Sequence, residues 1–264
     1  MNKFISTLLI VLNSVLFMPQ IKAQDASNSQ DVAGRKQGHW IKFNENQKKI
    51  YDGNFVDDLP EGKFTYFYES GTPWSITIFS KKGTIGYSKL FNTEGKITGE
   101  GKYVNQKKDS LWKFYDVDGK VISNEMYLNG EKNGSAKVFY PNSQLAEEKL
   151  WLNGKIDGAS VKYFDDGTLK FKCNYVKDKI DGKAVYYYPT GKVSVEGNYK
   201  NDFKNGSWKY YNQDGTVKKT VEFINSKPQG KDQDLISKEE EEKAKKYYEE
   251  KGVQDKFSGE GEPK

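Results

Sequence analysis

The chain is poor in the residues that most often carry catalysis and metal binding. Its 264 residues include one cysteine, Cys173, and one histidine, His39. A single cysteine excludes an intrachain disulfide and any zinc site built from several cysteines. A single histidine excludes histidine-rich metal sites, and a nucleophile activated by histidine would have to use His39. The sequence therefore predicts no catalytic residue, no metal site and no cofactor.

Long apolar runs are also scarce. Hydrophobic residues make up 35% of the chain and charged residues 30%, whereas globular domains usually contain about 45–50% apolar residues. This composition argues against an α/β enzyme, whose central strands are long runs of valine, isoleucine and leucine. Aromatic residues nevertheless reach 14%, and disordered chains contain few of them. The composition predicts a thin, β-rich structure with many turns.

The first 23 residues have the pattern of a secretory signal peptide. Lys3 supplies the positive charge, residues 4–18 are mostly apolar, and Pro19 ends that stretch before a cleavage site at Ala23. A membrane span needs about 20 apolar residues, so the stretch is short for one, and an uncleaved anchor is the alternative. We predict a signal peptide over residues 1–23 and an exported protein, located in the periplasm, on the cell surface or outside the cell.

The body of the chain repeats every 24 residues, over residues 38–230. A glycine begins seven of the eight units, and Ser110 begins the fourth. Self-similarity at a fixed period is the signature of a repeat architecture. The units start at residues 38, 62, 86, 110, 134, 158, 182 and 206.

Two columns of this repeat are aromatic in every unit, and we expect both to form the hydrophobic core. The first column stands five residues after each start, at Phe43, Phe67, Phe91, Tyr115, Phe139, Tyr163, Tyr187 and Tyr211. The second stands seventeen residues after each start, at Phe55, Phe79, Tyr103, Tyr127, Trp151, Tyr175, Tyr199 and Phe223.

Each unit has the pattern of a β-hairpin. An aromatic-rich strand such as 208–211 ends at Asp214-Gly215, and Asp-Gly is a strong turn signal because glycine accepts positive φ. A second strand follows and closes on a polar pair such as Asn129-Gly130. Two strands per unit give about 16 strands. We predict an all-β fold, an elongated, curved antiparallel array of eight 24-residue β-hairpin repeats, with a short C-terminal helix.

The segments on either side of the array lack its pattern. Residues 24–37 are predicted to be a flexible lead-in. Residues 231–251 are predicted to be a polar linker and a helix, because Ser237 and Glu240 form a capping-box signature before a run of helix formers. Residues 252–264 are predicted to be a disordered tail.

The repeat resembles a known family. The pattern Gly-x-Trp-x-x-Tyr, an Asp-Gly turn and then Gly-x-Tyr-x-Asn-Gly resembles MORN repeats, and more closely their variant in bacterial YwqK-type antitoxins. The residues that carry the match include Gly182, Tyr187, Gly191, Gly197 and Tyr199. The resemblance covers residues 38–230 and implies a scaffold for binding, because such repeats host scaffolding, lipid contact and partner binding alike. The antitoxin role of the resemblance would take the form of immunity against an envelope toxin, because that role is compatible with export.

Eight further aromatic residues flank the first aromatic column. Strand alternation turns them to the face opposite that column. Either they form a second packing layer, or they line an exposed face that binds a partner. These candidate partner-binding residues are Tyr66, Tyr68, Phe114, Tyr140, Phe164, Tyr186, Tyr188 and Tyr210.

Together these features predict a non-enzymatic protein of a bacterial cell envelope. The first hypothesis is an exported scaffold that binds another protein, with an antitoxin or immunity role as one form of it. The alternative is an envelope-associated module that binds anionic lipid or polysaccharide, since the formal charge is +5. We expect no nucleic-acid partner because the chain is exported. The sequence leaves the oligomeric state open.

Overall fold

The repeat folds as a single antiparallel sheet of hairpins. A computed structural model describes residues 27–230 and Glu242. Within them lie 19 strands joined in one sheet, each paired with its neighbours in the chain, and 16 of them are six residues or longer, as the sequence predicts. The prediction of an all-β, elongated repeat array is confirmed. Over residues 27–230 the structure contains no helix long and apolar enough to cross a membrane.

The strands of the first half follow in chain order. They are β1 (Ser29–Gln30), β2 (Lys36–Phe43), β3 (Lys49–Val56), β4 (Leu59–Phe67), β5 (Pro73–Ser80), β6 (Ile85–Phe91), β7 (Ile97–Val104), β8 (Lys107–Tyr115) and β9 (Val121–Leu128). The second half comprises β10 (Glu131–Phe139), β11 (Leu145–Leu152), β12 (Lys155–Tyr163), β13 (Leu169–Val176), β14 (Lys179–Ile180), β15 (Gly182–Tyr187), β16 (Val193–Lys200), β17 (Phe203–Tyr211), β18 (Val217–Ile224) and β19 (Lys227–Pro228).

Two kinds of tight turn alternate along the sheet. Within a unit, the turn ends on a left-handed residue such as Gly215, with φ of 96°. Gln47 and Ser143 replace this glycine in two units and keep the left-handed conformation, with φ of 57° and 68°. Between units, two successive left-handed residues such as Asn201 and Asp202, with φ of 49° and 72°, join the strands. Two such residues give the type I′ geometry that matches strand twist.

The connection between β5 and β6 departs from this pattern. Lys81, Lys82 and Gly83 are all left-handed there, with φ of 49°, 54° and 72°. The β5–β6 ladder then runs from Ser75 to Ser80 without a register shift. Gly86, which begins this unit, lacks the positive φ that most of the other unit-starting residues adopt. The junction between the second and third units is therefore built differently from its neighbours.

The core lies on one face of the sheet, which we call the ring face. Its centres are Phe64, Trp112 and Trp208, which are 1%, 0% and 1% exposed and stand two residues after a unit start. The second predicted column packs with them. Phe55 and Phe79 lie on either side of Phe64, with ring centroids 5.1 and 5.7 Å away.

The first aromatic column differs from the expectation that it forms the core. Phe43 is 48% exposed, and the other seven members are half-buried. Tyr211 donates its hydroxyl proton to Glu196 at 2.7 Å, and Glu196 lies on the face opposite Trp208, which we call the second face. Because side chains alternate along each strand, only one face of the sheet carries the packed layer. The residues two after each unit start lie on that face.

Several predicted segments lie at or beyond the ends of the described residues. Ser29–Gln30, within the predicted lead-in, forms β1 and pairs with β2 through Gln37 and Lys36. The signal peptide predicted over residues 1–23 and the tail predicted over residues 252–264 lie outside the described residues. The linker and helix predicted over residues 231–251 also lie outside them, apart from Glu242.

Candidate binding surfaces

The eight candidate partner-binding residues fall into two groups. Tyr66, Phe114, Tyr186 and Tyr210 stand four residues after a unit start and lie on the ring face. All four are half-buried, and each contacts the rings of the core. Phe114 stacks on Trp112 with centroids 6.1 Å apart. These four residues take the packing role that the sequence offered as one of two alternatives.

Tyr186 shows how closely this group is packed. Its ring lies 4.4 Å from Phe171, and its hydroxyl is 3.1 Å from that of Tyr199. Burial raises the pKa of Tyr186, and the Tyr199 hydroxyl adds to that rise. The phenol therefore stays protonated and neutral in the folded protein.

The other four candidate residues lie at the turn within each hairpin. Three of them donate a hydroxyl proton to a backbone carbonyl of the next unit. The bonds run from Tyr68 to Phe91 O at 2.8 Å, from Tyr140 to Tyr163 O at 2.8 Å and from Tyr188 to Tyr211 O at 2.7 Å. Phe164 occupies the same position without a hydroxyl, and its ring lies 5.4 Å from the Lys170 ammonium. This group ties neighbouring units together, and the structure does not bring all eight residues into one surface.

A cavity interrupts the ring face between the second and third units, and its residues were missed by the sequence analysis. Its volume is about 270 Å³. The side walls are Tyr66 and Trp74 on one side and Tyr103 on the other, and Phe79 and Leu90 complete the apolar lining. The signal in the sequence was Ser88, which stands two residues after a unit start, where four other units have an aromatic ring.

Three buried hydroxyl groups form the floor of this cavity. Ser75, Thr77 and Ser88 are 3%, 4% and 3% exposed. The Thr77 hydroxyl lies 2.6 Å from that of Ser88 and 3.3 Å from that of Ser75. The cavity thus combines aromatic walls with a small polar floor, which is the usual composition of a ligand pocket.

The second face carries a row of exposed apolar side chains across β5 to β11. Each alternates with a ring-face residue along its strand, as Leu111 does with Trp112. Ile78 pairs with Tyr87, and Leu111 pairs with Met126, in the strand register. The row comprises Ile78 at 49% exposure, Tyr87 at 58%, Leu111 at 42%, Met126 at 36% and Leu150 at 40%. We call it the apolar row.

A groove lies along the apolar row between Tyr87 and Leu111. Its volume is about 620 Å³. Strand β7 lies between Tyr87 and Leu111, and its residues on the second face are Glu100 and Lys102. The charged residues that line the groove are Lys89, Lys102, Lys113 and Glu100. Glu100 accepts a hydrogen bond from the Tyr115 hydroxyl at 2.6 Å, and the Lys102 ammonium lies 3.9 Å from Asp109. The groove therefore has apolar walls and, with three lysines against two carboxylates, a net positive rim.

Lysines cover several rings of the ring face. The ammonium groups of Lys36, Lys108, Lys132 and Lys204 lie 5.0, 4.5, 5.0 and 5.2 Å from the ring centroids of Trp40, Trp112, Trp151 and Trp208. A cation over an aromatic face is attracted by the ring quadrupole. Burial lowers the pKa of Lys108, against the effect of Glu125. These lysines close the ring face against water.

Other ionisable residues of the sheet, His39 and Cys173 among them, have structural partners. His39 Nε2 lies 2.8 Å from Asp52, which also accepts a hydrogen bond from Lys49. Cys173 is 7% exposed beside the core of the last units. Asp166 accepts a hydrogen bond from the backbone N–H of Thr168 within a turn. Over the described part of the chain, no three His, Cys, Asp or Glu side chains come together where they could hold a metal ion.

Comparison with protein families identifies the repeat. The family described as the MORN repeat variant matches residues 60–81, 132–153, 156–177, 180–201 and 204–225. Each segment starts two residues before a predicted unit, and the last four follow at the predicted 24-residue spacing. The five matched segments are therefore MORN-type repeats, and the predicted resemblance to MORN repeats is confirmed at this level. No curated protein is similar enough to the chain to count as a match.

Solved structures show only distant similarity. A TarM variant of S. aureus, in complex with Fondaparinux, alpha-GlcNAc-glycerol and UDP, is 18% identical over 38% of this chain and 19% of its own, with a TM-score of 0.29. The GtfA/B complex bound to UDP and GlcNAc is 10% identical over 44% of this chain and 22% of its own, with a TM-score of 0.21. This chain spans less than a quarter of either protein, and neither similarity carries an argument about function.

Proposed function

We propose that the chain is an exported, non-enzymatic repeat protein that binds a protein partner through its second face. The observation that carries the proposal is the apolar row, whose five members are 36% to 58% exposed. Apolar side chains exposed together on one face of a soluble protein usually mark an interaction site, because covering them removes apolar area from water. Export rests on the signal-like pattern of residues 1–23.

The groove indicates the chemistry of the partner. An apolar side chain entering between Tyr87 and Leu111 would be an anchor of the kind that dominates protein interfaces. Three lysines against two carboxylates surround that position, so acidic residues beside the anchor would complement the rim. We therefore propose a partner segment with apolar anchors and acidic neighbours. An antitoxin or immunity role, as the resemblance to YwqK-type proteins implies, would be one form of this binding.

Anionic lipid or polysaccharide is the second candidate ligand, and the observation in its favour is the same positive rim. Binding to such a polymer would depend mainly on Lys89, Lys102 and Lys113 and would weaken steeply as salt rises. An interface built on the apolar row would keep most of its affinity in salt, because apolar burial is not screened. Salt dependence therefore separates the two candidates.

Site-specific cross-linking tests the proposal. A photoreactive phenylalanine analogue would replace Tyr87 in the full chain, expressed in its own host. The control position is Ile224, which is 58% exposed like Tyr87 but lies at the end of β18, far along the sheet. We expect one protein to cross-link from position 87 at low and high salt, to be lost with Leu111→Glu and to be kept with Ile224→Glu.

Two results would contradict it. The first is a set of cross-linked proteins that is the same from positions 87 and 224. The second is the recovery of lipid or polysaccharide alone, released by salt, which would transfer the function to the second candidate.

A further inference from the structure

The cavity on the ring face lies at a unit that lacks a ring two residues after its start. That position holds the rings Trp40, Phe64, Trp112 and Trp208 in four units and the small residues Ser88, Ala136, Ser160 and Ala184 in the other four. We propose that this cavity binds a small aromatic compound that carries one hydrogen-bonding group, such as an indole or a phenol. The site lies on the opposite face from the apolar row, so this proposal does not depend on the proposed function.

The walls of the cavity suit an aromatic ring. Tyr66 and Trp74 have centroids 5.3 Å apart and planes tilted by 38°, and Trp74 is 40% exposed at the cavity wall. Aromatic rings prefer offset or edge contacts at about 4.5–7 Å, and Tyr66, Trp74 and Tyr103 line the cavity with rings that can make them. The volume of about 270 Å³ compares with a cavity of about 150 Å³ that takes up benzene.

The sheet itself maintains the empty space. At three junctions between units a ring lies on a glycine of the preceding strand, as Trp112 lies on Gly101. At this junction the glycine is replaced by Thr77, and its hydroxyl is 2.6 Å from Ser88. Two short side chains therefore face each other where a ring and a glycine would otherwise stand. The regular β5–β6 ladder keeps Thr77 opposite Ser88.

The polar floor selects the ligand further. Ser75, Thr77 and Ser88 form a chain with two hydrogen bonds, which use two of the three hydroxyl protons. One N–H or O–H group of a ligand can join this chain. A sugar would bring several hydroxyl groups into a space lined mainly by Phe79, Leu90 and the wall rings, and unpaired polar groups are costly to bury. The floor and walls together favour one ring with one polar group.

Fluorine NMR of 5-fluoroindole tests this proposal on the full chain. We expect saturable binding to the wild type. Trp74→Ala removes the exposed wall ring and should weaken binding about tenfold, the loss of one good ring contact. The pair Thr77→Gly and Ser88→Trp copies the Gly101–Trp112 pair and should fill the cavity and abolish binding. Asn198→Trp, a tryptophan added on the exposed second face, is the matched control and should bind as the wild type does.

Several outcomes would overturn the proposal. One is the absence of saturable binding to the wild type at millimolar 5-fluoroindole. Another is wild-type affinity in the filled variant while it remains folded, and Trp74→Ala supplies the same test if that variant does not fold. Equal affinity for cyclohexanol and phenol would remove the preference for an aromatic ring. Tighter binding of N-acetyltryptophanamide than of indole would assign the cavity to an aromatic side chain of a peptide.

Discussion

The indole ring of Trp112 lies directly on Gly101. A Cβ atom added to Gly101 would lie 2.3 Å from Cδ2 of Trp112, and Phe64 and Trp208 cover Gly53 and Gly197 in the same way at 2.2 Å. Where another unit lacks the glycine, it also lacks the ring. The repeat therefore couples two positions, fifteen residues after one unit start and two after the next. Either a ring lies on a glycine, or a serine or alanine faces a residue other than glycine.

This coupling predicts that the Gly101–Trp112 pair can be exchanged only as a pair. Gly101→Thr should destabilise the protein by about 1–3 kcal/mol through overpacking, and Trp112→Ser by about 3–5 kcal/mol through the cavity it leaves. The double variant copies Thr77 and Ser88, so its loss should be smaller than the sum by at least about 1 kcal/mol. Urea unfolding of the four proteins gives the coupling energy.

The control for this cycle is Lys102→Thr, which places threonine on the opposite face of the same strand. We expect it to change the free energy of unfolding by less than about 0.5 kcal/mol. Additive effects of Gly101→Thr and Trp112→Ser would show that the ring and the glycine are independent.

The tyrosine ties between units make a second prediction. Tyr140→Phe removes the hydroxyl that donates to Tyr163 O at 2.8 Å, and the loss of one such hydrogen bond should cost about 1 kcal/mol. Phe164 occupies the same position in the next unit, so Phe164→Tyr should form the corresponding bond to Tyr187 O and raise stability by up to about 1 kcal/mol. Thermal unfolding should shift in opposite directions for the two variants. If the two variants shift the unfolding temperature equally and in the same direction, the hydroxyl group contributes nothing to stability.

The fold of the array could be predicted from the sequence almost entirely. Its signals are local and periodic. A glycine such as Gly215 supplies positive φ at the turn within a unit, and a pair such as Asn129-Gly130 forms the turn between units. Because these turns recur every 24 residues, they fix the length and number of the hairpins. Gln47 and Ser143 stand in the glycine position of this turn in two units, and the structure shows that both keep the left-handed conformation.

The face that carries the core could not be predicted in this way. The first aromatic column is constant, whereas the buried column varies from Trp112 to Ser88, because each of its residues is matched to its neighbour on the preceding strand. Constancy therefore indicated the wrong face for the first column, whereas the equally constant second column does pack on the ring face. The cavity was missed for the same reason, since Ser88 is unremarkable until the pairing with Thr77 is known.

The single cysteine gives a third prediction. Burial raises the pKa of Cys173 to about 11, and the side chain is 7% exposed. The thiolate is the reactive form, so at pH 8 alkylation by iodoacetamide should be at least roughly a hundredfold slower in the native protein than in the unfolded chain, whose thiol pKa is about 8.5. Mass spectrometry of timed samples with and without urea measures both rates. Similar rates would show that the last units open readily.

Asp52 predicts a defined pH dependence of stability. Burial alone would raise the pKa of Asp52, but its hydrogen bonds with His39 and Lys49 outweigh burial and lower that pKa. A carboxyl group with a lower pKa in the folded state stabilises the protein above its unfolded pKa of about 3.9 and loses this contribution as the pH falls through the folded value. Asp52→Asn should therefore destabilise the protein most at neutral pH and progressively less below about pH 4.

The matched control is Glu69→Gln, which neutralises an exposed carboxylate in the turn of the second unit. Its free energy of unfolding should follow that of the wild type at every pH. A difference between wild type and Asp52→Asn that does not shrink in acid would show that the pair contributes packing rather than charge.

The last prediction concerns the repeat as a unit of stability. Deleting residues 134–157 joins Asn133 to Gly158 and preserves the order of the two turns. Glu125 would then face Ser160, which is a small residue like its present partner Ala136. Because the units of a linear array contact only their neighbours, we expect this protein to fold cooperatively with a circular dichroism spectrum like that of the wild type.

Deleting residues 134–145 instead removes most of β10. Strand β9 would then be followed directly by β11, although both are the second strand of their hairpins. Residues from β9 and β11 that never face each other would then meet, so the ring and glycine positions of the ladder would no longer coincide. We expect this variant to lose its cooperative thermal transition. Deletion of residues 158–181, a complete unit, is the control and should behave like the first deletion. If half-unit and whole-unit deletions unfold alike, the hairpin is not the independent unit of this fold.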